Sequence, residues 1–377
     1  MASSMDGVTD GMTLEQQIGQ LFMVGFSGTE PTPDVIELIQ RQHVGGIILF
    51  SRNCRDARQV SHLTANLQAA ARAAGHRYPL LISLDQENGI VRRLGDAITG
   101  FPGNMALGAA GSDDLAFAVA EATGQELRAL GINMNLAPDA DVNNNPANPV
   151  IGVRSFGEDP RLVARLTAAA VRGFSAAGII STLKHFPGHG DTAVDSHLGL
   201  PTIAHPLERL KRVELPPFQA GIAAGADTVM LAHLRLPGIA PDEDVPASLS
   251  PTVIHLLRDT LGFEGVIVTD CLEMDAVSKT VGEPRGALLG LRAGADIILI
   301  SHRIEPQRAA IELARAAVAS GELAEDTVRR AASRVLRLKA RMLSWETLPA
   351  PVAADSVSTV GHRQLRDGAY ARTTTLV

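Results

Sequence analysis

The chain has 377 residues, enough for one large α/β barrel or two ordinary domains, and its 45% hydrophobic and 20% charged content excludes global disorder. A formal charge of −7 argues against a general nucleic-acid footprint, and Cys54 and Cys271 form neither a CxxC pair nor a disulfide framework. One Trp, two Tyr and ten Phe are too few to pave a long polysaccharide groove, whereas a small polar pocket is easily built.

The N-terminus, MASSMDGVTDGMTLEQQ, has no basic and apolar leader pattern, and residues 1–12 are expected to be disordered or a remnant of cloning. No apolar run reaches the roughly 18 residues of a membrane span. The cytoplasm is the default compartment, although a removed export signal leaves the same sequence. Eight apolar runs then follow in order: LFMVGF (21–26), VGGIILF (44–50), LLISLD (80–85), INMNLAP (132–138), IISTLKHF (179–186), DTVMLAHL (227–234), GVIVTD (265–270) and DIILIS (296–301). None alternates cleanly, as expected of strands buried on both faces. Ala-rich amphipathic stretches lie between them; ARQVSHLTANLQAAARAAG and LAFAVAEATGQELRALG both stop at Gly, a helix-ending signal. This alternation over residues 13–345 predicts a TIM-type (β/α)8 barrel, with a doubly wound open sheet as the rival. After it, LPAPVAADS reads as a linker, VGHRQLRDGAYAR as a short helix and TTTLV as the start of a strand. Residues 346–377 are therefore expected to form a linker and helix tail, leading towards a second domain.

Polar residues crowd the C-terminal ends of the predicted strands: Asp85 and Glu87, Asp139 and Asp141, Lys184 and His185, His233, and Asp270. In either fold that end carries the ligand. The densest cluster is KHFPGHGDT followed by Asp195 and His197. Three readings stay open for it. His185, His189 and His197 with Asp191 form a metal set, although the HxxxH pair flanks Pro and Gly and is not helical. Alternatively these side chains brace a rigid loop. In the third reading Asp195-Ser196-His197 is a carboxylate–imidazole dyad that gives and takes a proton near neutral pH. Asp270 ends a wholly apolar strand and suits a nucleophile, a base, a metal ligand or a helix N-cap. Asp85 and Arg93, eight residues apart, are placed to clamp vicinal hydroxyls or to form a surface ion pair. Arg154 stands in NNNPANPVIGVRSFGEDP, where Asn and Pro argue for a shaped loop.

Taken together, KHFPGHGDT with its DSH, the strand ending in TD, the DQE segment and the NPVIGVRSFGEDP loop resemble glycoside hydrolase family 3, in its β-N-acetylglucosaminidase branch. The resemblance spans roughly residues 13–345. It implies a barrel, no cofactor and no metal, and a retaining double displacement. By that resemblance Asp270 is the nucleophile and His197, paired with Asp195, is the acid/base. Asp85, Arg93, Arg154, Lys184 and His185 then hold the sugar, with His233 a weaker pocket candidate. The implied partner is a small glycoside carrying terminal β-linked N-acetylglucosamine, from a muropeptide or a chitooligosaccharide; neither nucleic acid nor membrane insertion is implied. A phosphorylase or a β-glucosidase of the same family is the nearest alternative. A metal-dependent barrel hydrolase and a non-catalytic sugar sensor are more remote. One departure stands out: the branch commonly has two glycines after DQE, where this chain has Asn88-Gly89, so the turn is expected to differ.

Overall fold

A computed structural model describes residues 7–351 and 356–374. Among the described residues there are ten strands: β1 (Phe22–Val24), β2 (Gly46–Ile48), β3 (Leu81–Leu84), β4 (Gln86–Asn88), β5 (Val91–Arg92), β6 (Met134–Asn135), β7 (Ile180–Phe186), β8 (Thr228–Leu231), β9 (Val266–Thr269) and β10 (Ile298–Ile300). Eight of them form one parallel sheet in the order β10-β1-β2-β3-β6-β7-β8-β9. Val268 bridges Ile297 and Leu272 N–H donates to Leu299 O at 2.9 Å, which brings the two edges together. The result is the TIM-type (β/α)8 barrel expected from the pattern. Every residue of those eight strands is buried, so the absence of alternation has a simple cause: side chains on one face fill the barrel and those on the other pack against helices.

The helices start and stop where local chemistry dictates. Asp56 caps Ala57–Ala73 by accepting from Gln59 N–H, and Ser112 caps Asp113–Ala129 by accepting from Leu115 N–H. Pro160 opens Pro160–Ala176 behind the cap Asp159. Gly131 follows the second of these helices at φ +77°, a left-handed stop that side chains resist. The Asp113–Ala129 and Pro160–Ala176 helices pack closely: a Cβ on Gly173 would meet Phe117 O at 2.4 Å, so only glycine lets them approach.

The short antiparallel hairpin β4–β5 was not foreseen, because two polar strands of three and two residues carry no hydrophobic signal. Past the barrel, Val360–Thr373 is helical, as VGHRQLRDGAYAR suggested. The strand expected at TTTLV falls largely on residues 375–377, outside the described residues, and Thr373 still belongs to the helix. Part of the expected linker, residues 352–355, and residues 1–6 also lie outside them. Among the described residues no helix is long and apolar enough to cross a membrane.

Candidate active site

Parallel strands deliver their last side chains to one end of the barrel. Asp85 leaves β3, and the chain then turns through the β4–β5 hairpin. Gln86 points away from the pocket and is pinned there: its N–H donates to Asn135 Oδ1 and its carbonyl accepts from Asn135 Nδ2, both at 3.0 Å. Strand alternation therefore sends Asp85 and Glu87 the other way. The turn departs from two glycines without strain, because Asn88 itself takes φ +70°, a conformation asparagine tolerates. Gln86 Oε1 accepts from Arg93 N–H at 3.1 Å, which returns Arg93 to Asp85.

These residues form a ladder of alternating charge. Arg93 donates to Asp85 Oδ2 at 3.1 Å; Lys184 Nζ donates to Asp85 Oδ1 at 2.7 Å and lies 2.6 Å from Glu87 Oε1. Arg154 grips Glu87 with two bonds of 2.9 and 2.8 Å and lies 3.8 Å from Asp139. Burial alone would strip Lys184 of its proton; Asp85 and Glu87 reverse this and hold its pKa above the ordinary value. Burial likewise opposes the charge of Asp85, but Lys184 and Arg93 keep its pKa low. Such buried pairs stand only because each ion has partners on both sides.

Behind the ladder lies a second layer. Asp141 Oδ2 accepts from His185 Nδ1 at 2.7 Å, and Asp141 Oδ1 accepts from the N–H of His189 at 2.6 Å. His185 Nε2 faces Arg154 at 3.3 Å. Asp139 sits beside Asp141 with Oδ2 free of hydrogen bonds, Arg154 and His185 standing 3.8 and 3.9 Å away; burial and that neighbouring carboxylate push its pKa well up, while His185 holds Asp141 low against burial. Ligand atoms of Asp139, Asp141 and His185 lie within 4.8 Å of one another, but the Arg154 guanidinium already supplies the positive charge there.

The loop after β7 carries the remaining histidines, each with a partner of its own. Asp195 Oδ1 accepts from both the N–H and Nδ1 of His197, at 2.9 and 2.7 Å. Asp191 pairs with His205 Nε2 at 2.5 Å, and His189 lies between Thr192 and Ser196. His185, His189, His197 and Asp191 therefore do not converge on one point, as the metal reading required. Gly190 is indispensable here: a Cβ would lie 1.7 Å from Val142 O. Asn148 fastens this loop to the Arg154 segment, donating to His189 O at 2.9 Å and Gly190 O at 3.0 Å. His197 itself is 60% exposed at its side chain, within reach of a ligand and of solvent.

Asp270 follows β9. Its Oδ1 accepts from Cys271 N–H at 2.7 Å. Desolvation would raise its pKa, yet His233, His185 and that N–H outweigh it and favour the carboxylate. Cys271 is the opposite case, its thiol pushed up to about 12 by burial. His233 does not reach the pocket: Nδ1 bonds Ser248 Oγ at 2.6 Å and Nε2 bonds Cys271 O at 2.9 Å, so both ring nitrogens are occupied behind Asp270.

One pocket of about 340 Å³ gathers Asp85, Arg93, Arg154, Lys184, His185, Asp195, His197 and Asp270, with Glu87 and the apolar Phe50, Ile90, Ile151 and Met274. Of the expected site residues only His233 is not among its walls. Sequence reasoning noted Glu87 and Asp141 only as strand-end polar residues and His189 only as a metal ligand or loop brace, and gave none of them a place in the sugar site. The i, i+2 spacing of Asp85 with Glu87, and of Asp139 with Asp141, was the signal that pairs them on one side of an extended segment.

Known proteins place this arrangement in context. The Glycosyl hydrolase family 3 N terminal domain matches residues 13–338. Beta-hexosaminidase A of Pseudoalteromonas piscicida is 37% identical over 391 residues, covering 94% of this chain and 65% of that protein, so the chain spans just under two thirds of that relative. The Beta-hexosaminidase of Stenotrophomonas maltophilia (strain R551-3) is 40% identical over 289 residues, covering 75% of this chain and 83% of the relative. The solved glycoside hydrolase family 3 β-N-acetylglucosaminidase from Paenibacillus sp. str. FPU-7 superposes with a TM-score of 0.91 at 49% identity, covering 97% of this chain and 70% of that one. With the family domain spanning most of its length and a solved member following its backbone nearly throughout, this chain belongs to glycosyl hydrolase family 3.

Proposed function

We propose that this protein is an exo-acting, retaining β-N-acetylhexosaminidase that releases terminal non-reducing N-acetylglucosamine from chitooligosaccharides or muropeptide fragments. The observation that carries this reading is one small pocket walled by an ionised strand-end carboxylate, Asp270, and a carboxylate-tethered imidazole, Asp195–His197. The relatives named as hexosaminidases support the sugar assignment.

In this mechanism Asp270 attacks the anomeric carbon while His197 gives its proton to the departing oxygen. The glycosidic C–O bond breaks and a covalent ester to Asp270 forms. His197, now neutral, takes a proton from water, which attacks the same carbon and frees Asp270. Two inversions return the original configuration. Asp195 fixes the ring through Nδ1 and stabilises its cation, leaving Nε2 for the proton transfers. Asp85, Arg93, Lys184, Arg154 and His185 hold the hydroxyls and acetamido group of the sugar. Glu87 and Asp141 keep Lys184, Arg154 and His185 in place. His233 supports the Asp270 turn rather than the ligand.

A panel of aryl β-glycosides with and without the 2-acetamido group tests the proposal. Turnover restricted to the acetamido sugars is expected, and a preference for plain glucosides would replace it with a β-glucosidase. Run in phosphate buffer, the same assay should yield free N-acetylglucosamine; sugar 1-phosphate would make the enzyme a phosphorylase.

A further inference from the structure

The mechanism above leaves His189 and Ser196 unused, although both are 2% exposed and directly joined. The hydroxyl of Thr192 donates to His189 O at 3.1 Å, and its oxygen accepts from Asn148 Nδ2 at 3.1 Å. His189 Nδ1 lies 2.8 Å from that oxygen. On the other side of the ring, Nε2 and Ser196 Oγ share a hydrogen bond of 3.0 Å. His189 is itself anchored to the barrel, because its N–H donates to Asp141 at 2.6 Å. Ser196 stands between Asp195 and His197 in the chain. Its side chain points inward while His197, next to it, is largely exposed.

We propose that His189 is a positioning residue that acts through Ser196, latching the middle of the Asp195–His197 loop to the barrel so that the dyad is presented at the departing oxygen. The proposal rests on the acid/base reading of His197. Two features favour a latch over simple filling. The ring is a constant partner for Ser196, since burial pushes the pKa of His189 down to about 4 and keeps the ring from gaining charge near neutral pH. The bond also joins the loop to the same carboxylate, Asp141, that orients His185, so sugar-side and proton-side groups share one anchor.

The test uses Ser196→Ala, His189→Phe, which keeps a ring but removes both ring nitrogens, the double variant, and His197→Ala in parallel. The substrates are N,N′-diacetylchitobiose and a dinitrophenyl N-acetyl-β-glucosaminide, whose leaving group needs no proton. A displaced acid should cost about 10–100-fold in kcat/KM on the disaccharide and leave the dinitrophenyl value within about twofold. Inhibition by N-acetylglucosamine should be unchanged, and the double variant should lose no more than either single one. Equal losses on both substrates, no loss on either, or additive losses would overturn the latch. If His197→Ala itself shows no dependence on the leaving group, the acid/base assignment fails first, and the latch with it.

Discussion

Two fully buried lysines, at opposite ends of the barrel, meet opposite fates. Lys184, at the C-terminal end, lies between the carboxylates of Asp85 and Glu87 and is held in the charged form. Lys339, from the helix Glu325–Met342, lies at the N-terminal end, where Nζ donates to Gln20 Oε1 and Gly45 O, both at 2.7 Å. Its partners are neutral, and burial pushes its pKa down to about 7. His76, in the same region, is pushed down to about 4 by burial. The lesson concerns what each end is for. A lysine needed as a cation has to be surrounded by anions. One that only satisfies carbonyl oxygens can give up its charge, and the fold then carries a pH-dependent penalty instead of a site.

The largest effect should come from the charged end, on activity. Asp270→Ala removes the carboxylate that is proposed to attack and should lower turnover by on the order of 10⁴-fold or more, measured with an aryl N-acetylglucosaminide. Retained turnover would move the nucleophile elsewhere. His197→Ala comes next, at about 10²–10⁴-fold on poor leaving groups, as a Brønsted series would show. Lys184→Met strands two carboxylates in the interior. A loss of about 3–5 kcal/mol is expected in denaturant unfolding, together with loss of turnover; a neutral result would mean that Arg93 and Arg154 suffice.

The smallest effect, and the sharpest contrast, lies at the other end. An unfolded lysine titrates near 10.4. Between about 7 and that value the unfolded state holds a proton that folded Lys339 lacks, so stability should rise with pH across this window. Below about pH 7 both states are protonated and the penalty is fully present. Lys184 behaves the other way: its folded pKa is raised, so its contribution is complete below the unfolded value and is lost as pH rises from there through the folded one. Urea unfolding of wild type and Lys339→Met at a series of pH values checks this. The variant should lose the rise between pH 7 and 10, at up to about 1.4 kcal/mol per pH unit. Equal slopes in the two proteins would show that Lys339 keeps its charge.

The barrel was legible because its signal is redundant. Each of eight apolar runs became a strand, and a parallel sheet leaves little choice for what alternates with it. The position of Asp85, Lys184, His185 and Asp270 at one end of the barrel was legible for a related reason: polar groups at the tips of parallel strands face the same end. What sequence could not supply was direction. His233 ends β8 as plausibly as Asp270 ends β9, yet its ring turns inward to Ser248, a partner fifteen residues away. Glu87, Asp141 and His189 contact the other site residues rather than standing free at the pocket mouth, so their importance becomes visible only when register and pairing are known. The β4–β5 hairpin, which aims Arg93, has no apolar period to read.

Glu126 has a practical bearing on how this protein is trimmed. Its carboxylate, on the helix Asp113–Ala129, accepts from Thr99 N–H and Oγ1 and, across the tail, from Ser358 N–H at 2.8 Å and His362 Nδ1 at 2.7 Å. A version shortened to the family-matched segment would strip that buried anion of half its donors. Expression trials that stop near residue 338 therefore invite a destabilised product, and a cut placed beyond the last helix is the safer boundary.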